Sequence, residues 1–551
     1  LKVMHMKIPS DHLNQNYLQM RQIKITLIAL VFWFTGMAQT TNIQLSFSAI
    51  DSATQPGTLD PSFNGTGYVI GDLGNDMYHY GSLVQPLPDG KMVVAGWCYD
   101  TTMLTTTSQT FFIRYNHDGT RDMDFGYGGI TLTDTLFHDR LFDIALQADG
   151  KIVGCGISRK VGEPYKFLMI RINSDGTFDD TFGENGIIHE TGTGVSDWLY
   201  ALAVRPDGKM VVRGSAKAST TVDQPLLVGY MPNGSRDTTF GSDGMLITSI
   251  PGCTSVSNQG LILKPDGKIL TGGTIYINSK ACVGLFQYNE DGTPDPAFGT
   301  GGIAIDSSIL SAKPLTLGLQ SSGKIVVPLR AYPVSTSKYY YSIFMYNPDG
   351  SPDLTFHGNG RYIGDEGWAY DICVQPDDKF IICGNLFNDT TVKHMVVCRY
   401  LPSGEPDPDF GENGIAGFGT LDVPSNCLAV ALASNGQIVG TGYGNEALSP
   451  HAWREAVTLR LNAYGVGIWE KPAVTTIKAN PNPFENYLTI ETPGIKGSVI
   501  DVFSIQGQKV ESLKMTGERE RFTLGHLPEG LYLLRSSGSN PAEAIQVIRI
   551  K

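Results

Sequence analysis

Fifty-four carboxylates, ten histidines and eight cysteines are spread over 551 residues, and among them only aspartate recurs at fixed spacing. It opens an Asp-x-x-Phe motif at Asp60, Asp122, Asp179, Asp237, Asp295, Asp353 and Asp407. In four copies further oxygens precede it, as Asn116-x-Asp118-Gly119-x-x-Asp122 and again from Asn173, Asn289 and Asn347. Oxygen side chains so spaced can hold calcium. Yet the final Asp persists where the earlier oxygens are lost, as after Leu401-x-Ser403, which suits a structural cap, and no cofactor is expected. Cys98, Cys155, Cys253, Cys282, Cys373, Cys383, Cys398 and Cys427 contain no Cys-x-x-Cys, so zinc and redox pairs lack their usual spacing. There is no Gly-x-Ser-x-Gly, His-Glu-x-x-His or phosphate loop, and neither a catalytic residue nor a metal ligand is assigned. What remains is aromatic: Trp97, Tyr99, Trp198, Trp368 and Trp453 are side chains able to stack on sugars or anchor a protein partner.

The elements that must carry these residues follow from the repeat. Asp-x-x-Phe recurs in steps of 54 to 62 residues, and each Phe is followed four residues later by glycine, from Gly67 to Gly414. A second motif, Asp89-Gly90-Lys91, has counterparts from residues 149, 207, 266, 322, 377 and 435, and a third, Arg114-Tyr115-Asn116, from 171, 229, 287, 345, 399 and 460. Asp-Gly between short apolar runs predicts a hairpin, because glycine takes the φ > 0 position that other residues resist. Each unit of about 58 residues therefore holds four strands, written a to d. Four antiparallel strands repeated seven times predict an all-β, seven-bladed β-propeller, within the usual range of about four to eight blades. A tandem of small sandwiches is the alternative, and the glycine density excludes a helical solenoid.

These three motifs in order resemble the delta-60 repeat proteins over residues 59 to about 465, with departures at Ser322 and Pro328 and at His357 and Asp378. The resemblance implies an exported bacterial propeller and no particular catalytic activity. After it the composition changes. Asn480-Pro481-Asn482-Pro483, Gly507-Gln508 and Gly530-Leu531-Tyr532 punctuate a short all-β tail, which predicts a small sandwich and resembles the type A C-terminal sorting domain of the type IX secretion system of Bacteroidetes. That resemblance implies the type IX machinery as a partner and a secreted or outer-surface location. At the other end, Arg21 and Lys24 precede the apolar run Ile25 to Phe34 and Gly36-Met37-Ala38. This is the grammar of a signal peptide, too short for a spanning helix, which needs about 20 apolar residues. The expected organisation is an upstream extension and signal peptide over 1–38, an N-terminal linker over 39–58, the propeller over 59–470, a linker over 471–476 and the sorting domain over 477–551. No transmembrane segment is expected in the mature chain.

The net charge of −13 without a basic run of five argues against nucleic acid or an anionic membrane as partner. Much of it is turn chemistry, since Asp bonds its own downstream backbone. Alternating strands place the uniform b-to-c and d-to-a turns on one face and the variable a-to-b and c-to-d loops on the other. Variable loops on a rigid scaffold are where binding usually sits, and there the candidate ligand-face residues Trp97, Tyr99, Trp198, Trp368 and Trp453 concentrate. The expectation is a binding or interaction module for a glycan or protein ligand; the alternative is a propeller enzyme acting on polysaccharide or peptide.

Overall fold

The computed structural model describes residues 55–463 and 478–549, apart from short connecting stretches of which the longest are 101–106, 193–197, 333–337, 419–424, 446–453, 492–498 and 537–544. The expected signal peptide, the linker 471–476 and Trp453 lie outside the described residues. All named elements are strands. β1 (Tyr68–Gly71) is followed by three sheets of four consecutive strands each. These are β2 (Met77–Pro86), β3 (Met92–Asp100), β4 (Gln109–Tyr115) and β5 (Ile130–Leu132); β6 (Arg140–Leu146), β7 (Ile152–Ser158), β8 (Lys166–Ile172) and β9 (Ile187–Glu190); and β10 (Trp198–Val204), β11 (Met210–Lys217), β12 (Asp223–Tyr230) and β13 (Met245–Ile247). A larger sheet joins the next units. It contains β14 (Cys253–Leu263), β15 (Ile269–Ile277), β16 (Lys280–Tyr288) and β17 (Ile303–Asp306), then β18 (Ser311–Pro314), β19 (Gly318–Leu319), β20 (Ile325–Tyr332) and β21 (Tyr340–Tyr346). It ends with β22 (Arg361–Val374), β23 (Phe380–Asn388), β24 (Val392–Tyr400) and β25 (Ile415–Phe418). β22 serves two units, pairing β21 through Arg361–Glu366 and β23 from Gly367 onward. The last repeat sheet, β26 (Ser425–Leu432), β27 (Ile438–Asn445) and β28 (Arg454–Leu461), is completed by β1, with Tyr68 opposite Leu459. The tail forms a sandwich. β29 (Lys478–Asn480), β30 (Tyr487–Glu491) and β33 (Arg519–Thr523) face β31 (Val499–Ser504), β32 (Lys509–Lys514), β34 (Gly530–Ser536) and β35 (Ile545–Arg549) across a core that includes Leu488, Ile490, Ile500, Val502 and Leu534.

Strand b comes first in each repeat sheet and strand a of the following repeat last, so the order is b, c, d, a. The central c strands are the most apolar, and β7, Ile-Val-Gly-Cys-Gly-Ile-Ser, is buried throughout. Clusters of buried side chains join each sheet to the next: Val153, Phe167 and Met169 pack with Leu199, Val212 and Leu226. The first repeat sheet packs on the last in the same way, through Val94 and Ile113 with Val69, Val439 and Ala456.

The three sequence motifs meet at one place in each repeat. In the hairpin, Leu87 N donates to Lys91 O and Gly90 takes φ +85°, a three-residue loop closed by a left-handed glycine. The hairpin lysine then reaches the motif aspartate, Lys91 Nζ to Asp122 Oδ2 at 2.7 Å, while Arg114 Nε donates to the same oxygen at 2.6 Å. The pattern recurs at Lys151–Asp179–Arg171 and Lys379–Asp407–Arg399. The other carboxylate oxygen caps the local turn, as Asp179 Oδ1 does by accepting from Thr181 N. Arg114 also donates to Ser174 O in the next repeat, and each motif phenylalanine is roofed by a glycine of the next turn, Phe125 by Gly176 and Phe182 by Gly234.

Candidate functional site

A β-bulge interrupts the b strand in six repeats. Pairing skips a residue between Gly81 and Leu83, Leu141 and Asp143, Leu199 and Ala201, Ser257 and Gln259, Ala369 and Asp371, and Cys427 and Ala429. A glycine on strand c makes this possible. A Cβ built on Gly96, Gly156, Gly214, Gly384 or Gly442 would lie 1.8 to 2.2 Å from a carbonyl oxygen of the adjoining b strand, a close approach that only glycine permits. One cavity of about 190 Å³ is lined by the bulged residues Ser82, Phe142, Tyr200, Tyr370 and Leu428 together with Gly260 and Thr316, one from every repeat. A larger hollow of about 710 Å³ lies elsewhere, beside Gly57, Asp365, Leu386 and Glu412, away from the candidate aromatics.

Just before the bulge, on the variable-loop side, the b and c strands pair Tyr80 with Trp97, Arg140 with Ile157, Trp198 with Ser215, Ser257 with Thr274, Lys313 with Arg330, Trp368 with Asn385 and Asn426 with Tyr443. These seven pairs form one layer, and side chains in it touch across the junctions between repeats. The guanidinium of Arg140 lies 4.0 Å over the Trp97 ring and that of Arg330 5.1 Å over the Trp368 ring. Asn385 bonds Asn426, and Tyr443 meets Tyr80 edge-on at 4.9 Å.

Of the residues singled out in the sequence, Trp97, Trp198 and Trp368 all fall in this layer, and Tyr99 lies two residues further toward the loops. All four are half-buried. They sit on strands β3, β10 and β22 and not in the connecting loops. Trp97 is stacked on Tyr80 at 4.1 Å besides carrying Arg140, so it packs repeat against repeat. Trp198 stacks on Phe142 of the preceding repeat at 5.8 Å. Arg140, Lys313 and Arg330 escape a sequence reading because nothing in their neighbours marks them; aligning the c strands on their hairpins would have put Arg330 at the position of Trp97 and Tyr443.

Beneath the layer, two carboxylates line the cavity. Asp143 accepts from Leu202 N of the next repeat at 2.8 Å and from Ile144 N at 2.9 Å; Asp371 accepts from Val430 N at 2.9 Å. Burial pushes Asp143 up to about 7 and Asp371 to about 6, against the lowering effect of the backbone N–H groups. They tie neighbouring b strands together. A further group lies on the loop side. Among the described residues Asp139 Oδ1 is buried without a hydrogen-bond partner, 3.9 Å from His189 Nε2, and Phe137 stacks on His189 at 4.1 Å. Burial raises Asp139 to about 7, with Asp134 adding to the effect and Ser158 opposing it. The turn oxygens proposed for calcium are otherwise engaged: Asp118 Oδ1 accepts from Thr120 N and Oγ1, and Asp122 faces Lys91 and Arg114. Among the described residues no group of three or more His, Cys, Asp or Glu side chains is placed to hold a metal ion, and no helix is long and apolar enough to cross a membrane.

Residues 87–125, 147–182, 205–240 and 264–298 match the Domain of unknown function (DUF5122) beta-propeller, and residues 478–551 match the Secretion system C-terminal sorting domain. No curated protein matches the sequence. Among solved structures, PorZ, a surface component of the type IX secretion system of Porphyromonas gingivalis, is 15% identical over 88% of this chain with a TM-score of 0.37. The extracellular domain of a putative one-component system from B. thetaiotaomicron is 11% identical over 87% of this chain, also at 0.37. The chain spans 60% and 57% of those two chains. A polysaccharide lyase acting on ulvan is 11% identical over 72% of this chain and 96% of its own, at 0.45. The protein carries β-propeller repeats of the DUF5122 type and a type IX C-terminal sorting domain, and it is a secreted or outer-surface protein.

Proposed function

We propose that the seven repeat sheets are the blades of one closed ring and that the exported protein is a binding module whose ligand, a glycan or a protein, docks on the variable-loop face. The observation that carries this reading is the single layer holding Trp97, Trp198, Trp368, Tyr80 and Tyr443 at the loop-side mouth of a cavity to which every repeat contributes. Aromatic surface held rigid by a sheet loses little entropy on binding, and the half-buried Tyr99 and Trp198 offer ring surface next to the loops. In the same reading residues 1–38 are removed on export, 39–58 and 471–476 are linkers, the first ending in bonds that join Gly57 and Thr58 to Asn462, and the propeller occupies 59–470. The purified protein should bind a member of a glycan and peptide panel, and Tyr99→Ala or Trp198→Ala should weaken that binding at least tenfold without moving the melting temperature by more than a few degrees. Unchanged affinity in both variants would place the ligand elsewhere.

The buried Asp139 beside His189 favours a second reading, an enzyme acting on polysaccharide or peptide, because a carboxyl raised to about 7 suits general acid or base work. Turnover of any panel member, lost in His189→Ala, would favour it.

A further inference from the structure

Three cations in the mouth layer differ from the lysines of the opposite face. On the uniform-turn face, Lys91, Lys151, Lys209, Lys268, Lys324 and Lys379 each pair with an aspartate at 2.6 to 3.0 Å. Arg140, Lys313 and Arg330 pair with no carboxylate among the described residues, in a chain whose net charge is −13. They rest on rings instead: Arg140 on Trp97, Lys313 on Tyr339 at 5.3 Å, and Arg330 on Trp368 and Tyr370 at 5.1 and 5.8 Å. Among the described residues the Nε of Arg140 and of Arg330 is buried and makes no hydrogen bond, and the same holds for Arg213 on the c strand β11. A cation resting on an aromatic ring is held in place by cation–π attraction, which leaves its charge available to a ligand. With no carboxylate paired to them among the described residues, the three side chains carry positive charge that an anionic ligand can meet.

We propose that the ligand of this face is an acidic saccharide, bearing uronate or sulfate groups, whose anionic groups are taken by Arg140 at one station and by Lys313 and Arg330 at another. This rests on the loop-face binding reading above and names its ligand class. The two stations belong to different arcs of the ring, the junction of the first and second repeats and that of the fifth and sixth, so a ligand with charges repeated along a chain fits better than a single small anion. The rings on this face, Tyr99 beside Arg140, Trp198 in the repeat after Arg140 and Tyr370 beside Arg330, favour a sugar over an acidic peptide, since pyranose C–H faces pack on aromatic faces.

The test is titration calorimetry with four probes of similar length: a galacturonate hexamer, a chondroitin sulfate hexasaccharide, cellohexaose and hexaglutamate. One or both acidic saccharides should bind at least tenfold more tightly than cellohexaose and hexaglutamate. Arg140→Gln and Arg330→Gln should each lose at least tenfold, and the wild-type affinity should fall as salt is raised; melting curves verify that both variants are folded. Equal binding of cellohexaose, with both arginine variants unaffected and Trp198→Ala impaired, would overturn the acidic ligand and leave the loop-face reading standing. Hexaglutamate binding as well as the saccharides would overturn the sugar. Acidic-saccharide binding insensitive to Tyr99, Trp198, Arg140 and Arg330 substitutions would overturn the loop-face reading as well, and no binding of any acidic saccharide by the folded protein would overturn the inference.

Discussion

The aspartate of Asp-x-x-Phe does three things with two oxygens, and its protonation is therefore tied to stability. In Asp407, burial opposes ionisation, but Lys379, the backbone N–H of Asp409 and Arg399 together hold the carboxyl below its ordinary value; in Asp295, bonds from Lys268 and Gln287 bring it to about 2. The arginine arm is the deeper one, with Arg399 only 3% exposed where Lys379 is 26%. Arg399→Ala leaves the buried Asp407 with only the partly exposed Lys379 to balance its charge and should cost about 3 kcal/mol, whereas Lys379→Ala should cost about 1 kcal/mol. Equal losses in urea denaturation would refute the distinction. The pH dependence has two opposed limbs. Carboxyls lowered in the fold bind fewer protons folded than unfolded, so their stabilisation is present above about pH 4 and is lost as the pH falls below it. Asp139, Asp143 and Asp371, raised to about 7, 7 and 6, bind more protons folded than unfolded. Their effect is neutral at low pH and becomes destabilising as the pH climbs from about 4 to 7. The melting temperature should therefore peak near pH 4 to 5 and decline toward pH 8, and Asp139→Asn, which cannot ionise, should flatten part of that decline. A plateau from pH 5 to 8 in the wild type would contradict these shifts.

The bulged b strand and its partner glycine form the device that opens a cavity at the centre of the repeats. Gly156 is not at a left-handed position; a Cβ there would sit 1.9 Å from Arg140 O, a backbone atom that cannot swing away. Gly208, in the hairpin, has φ +82°, and a Cβ there would meet only the side chain of Pro232, at 3.3 Å. Gly208→Ala should thus cost about 1 kcal/mol, and Gly156→Ala about 3 kcal/mol or more because the bulge itself must rearrange. Similar midpoints for the two variants would mean that the strands part easily. This contrast also marks what a sequence can disclose. Hairpins, the motif phenylalanines and the four-strand period were legible, because each depends on local chemistry at fixed spacing. Which strand lies innermost was not, since the bulged residues Ser82, Phe142, Tyr200, Tyr370 and Leu428 share no chemical type. The tryptophans were found by type alone, and they were assigned to loops because the strands extend further toward that face than the apolar runs suggest. Arg140, Lys313 and Arg330 become a set only through cross-strand register, which no single repeat reveals.

The first and last repeats meet by rebuilding a turn from two distant pieces of chain. In an ordinary repeat, Asn116 N donates to Thr120 O, Gly119 N to Asn116 O, and Asn116 Nδ2 to Thr120 Oγ1. The same three bonds run from Asn462 N to Thr58 O, from Gly57 N to Asn462 O and from Asn462 Nδ2 to Thr58 Oγ1. Asp60 then receives Arg460 and Gln437 as Asp122 receives Arg114 and Lys91, and Gly57 roofs Phe410 as Gly176 roofs Phe125. Arg399 donates to Ala463 O as Arg114 does to Ser174 O, so Ala463 and Pro56 occupy the two middle positions of an interrupted Asn-x-x-Gly-Thr turn. Non-covalent closure leaves this junction as the place where the ring can open, since only here must two ends find each other against their conformational entropy. Removing residues 55–71 takes away β1, Gly57 and Asp60 together, and the remaining chain should melt at a temperature lower by ten degrees or more, or lose its cooperative transition. Joining Ala463 directly to Pro56, and opening new ends within 218–221, restores the turn covalently without adding a residue to it. That permuted propeller should fold and should melt at or above the temperature of the parent. A permutant that fails to fold, alongside a deletion variant as stable as the parent, would mean that the repeats do not depend on a closed ring.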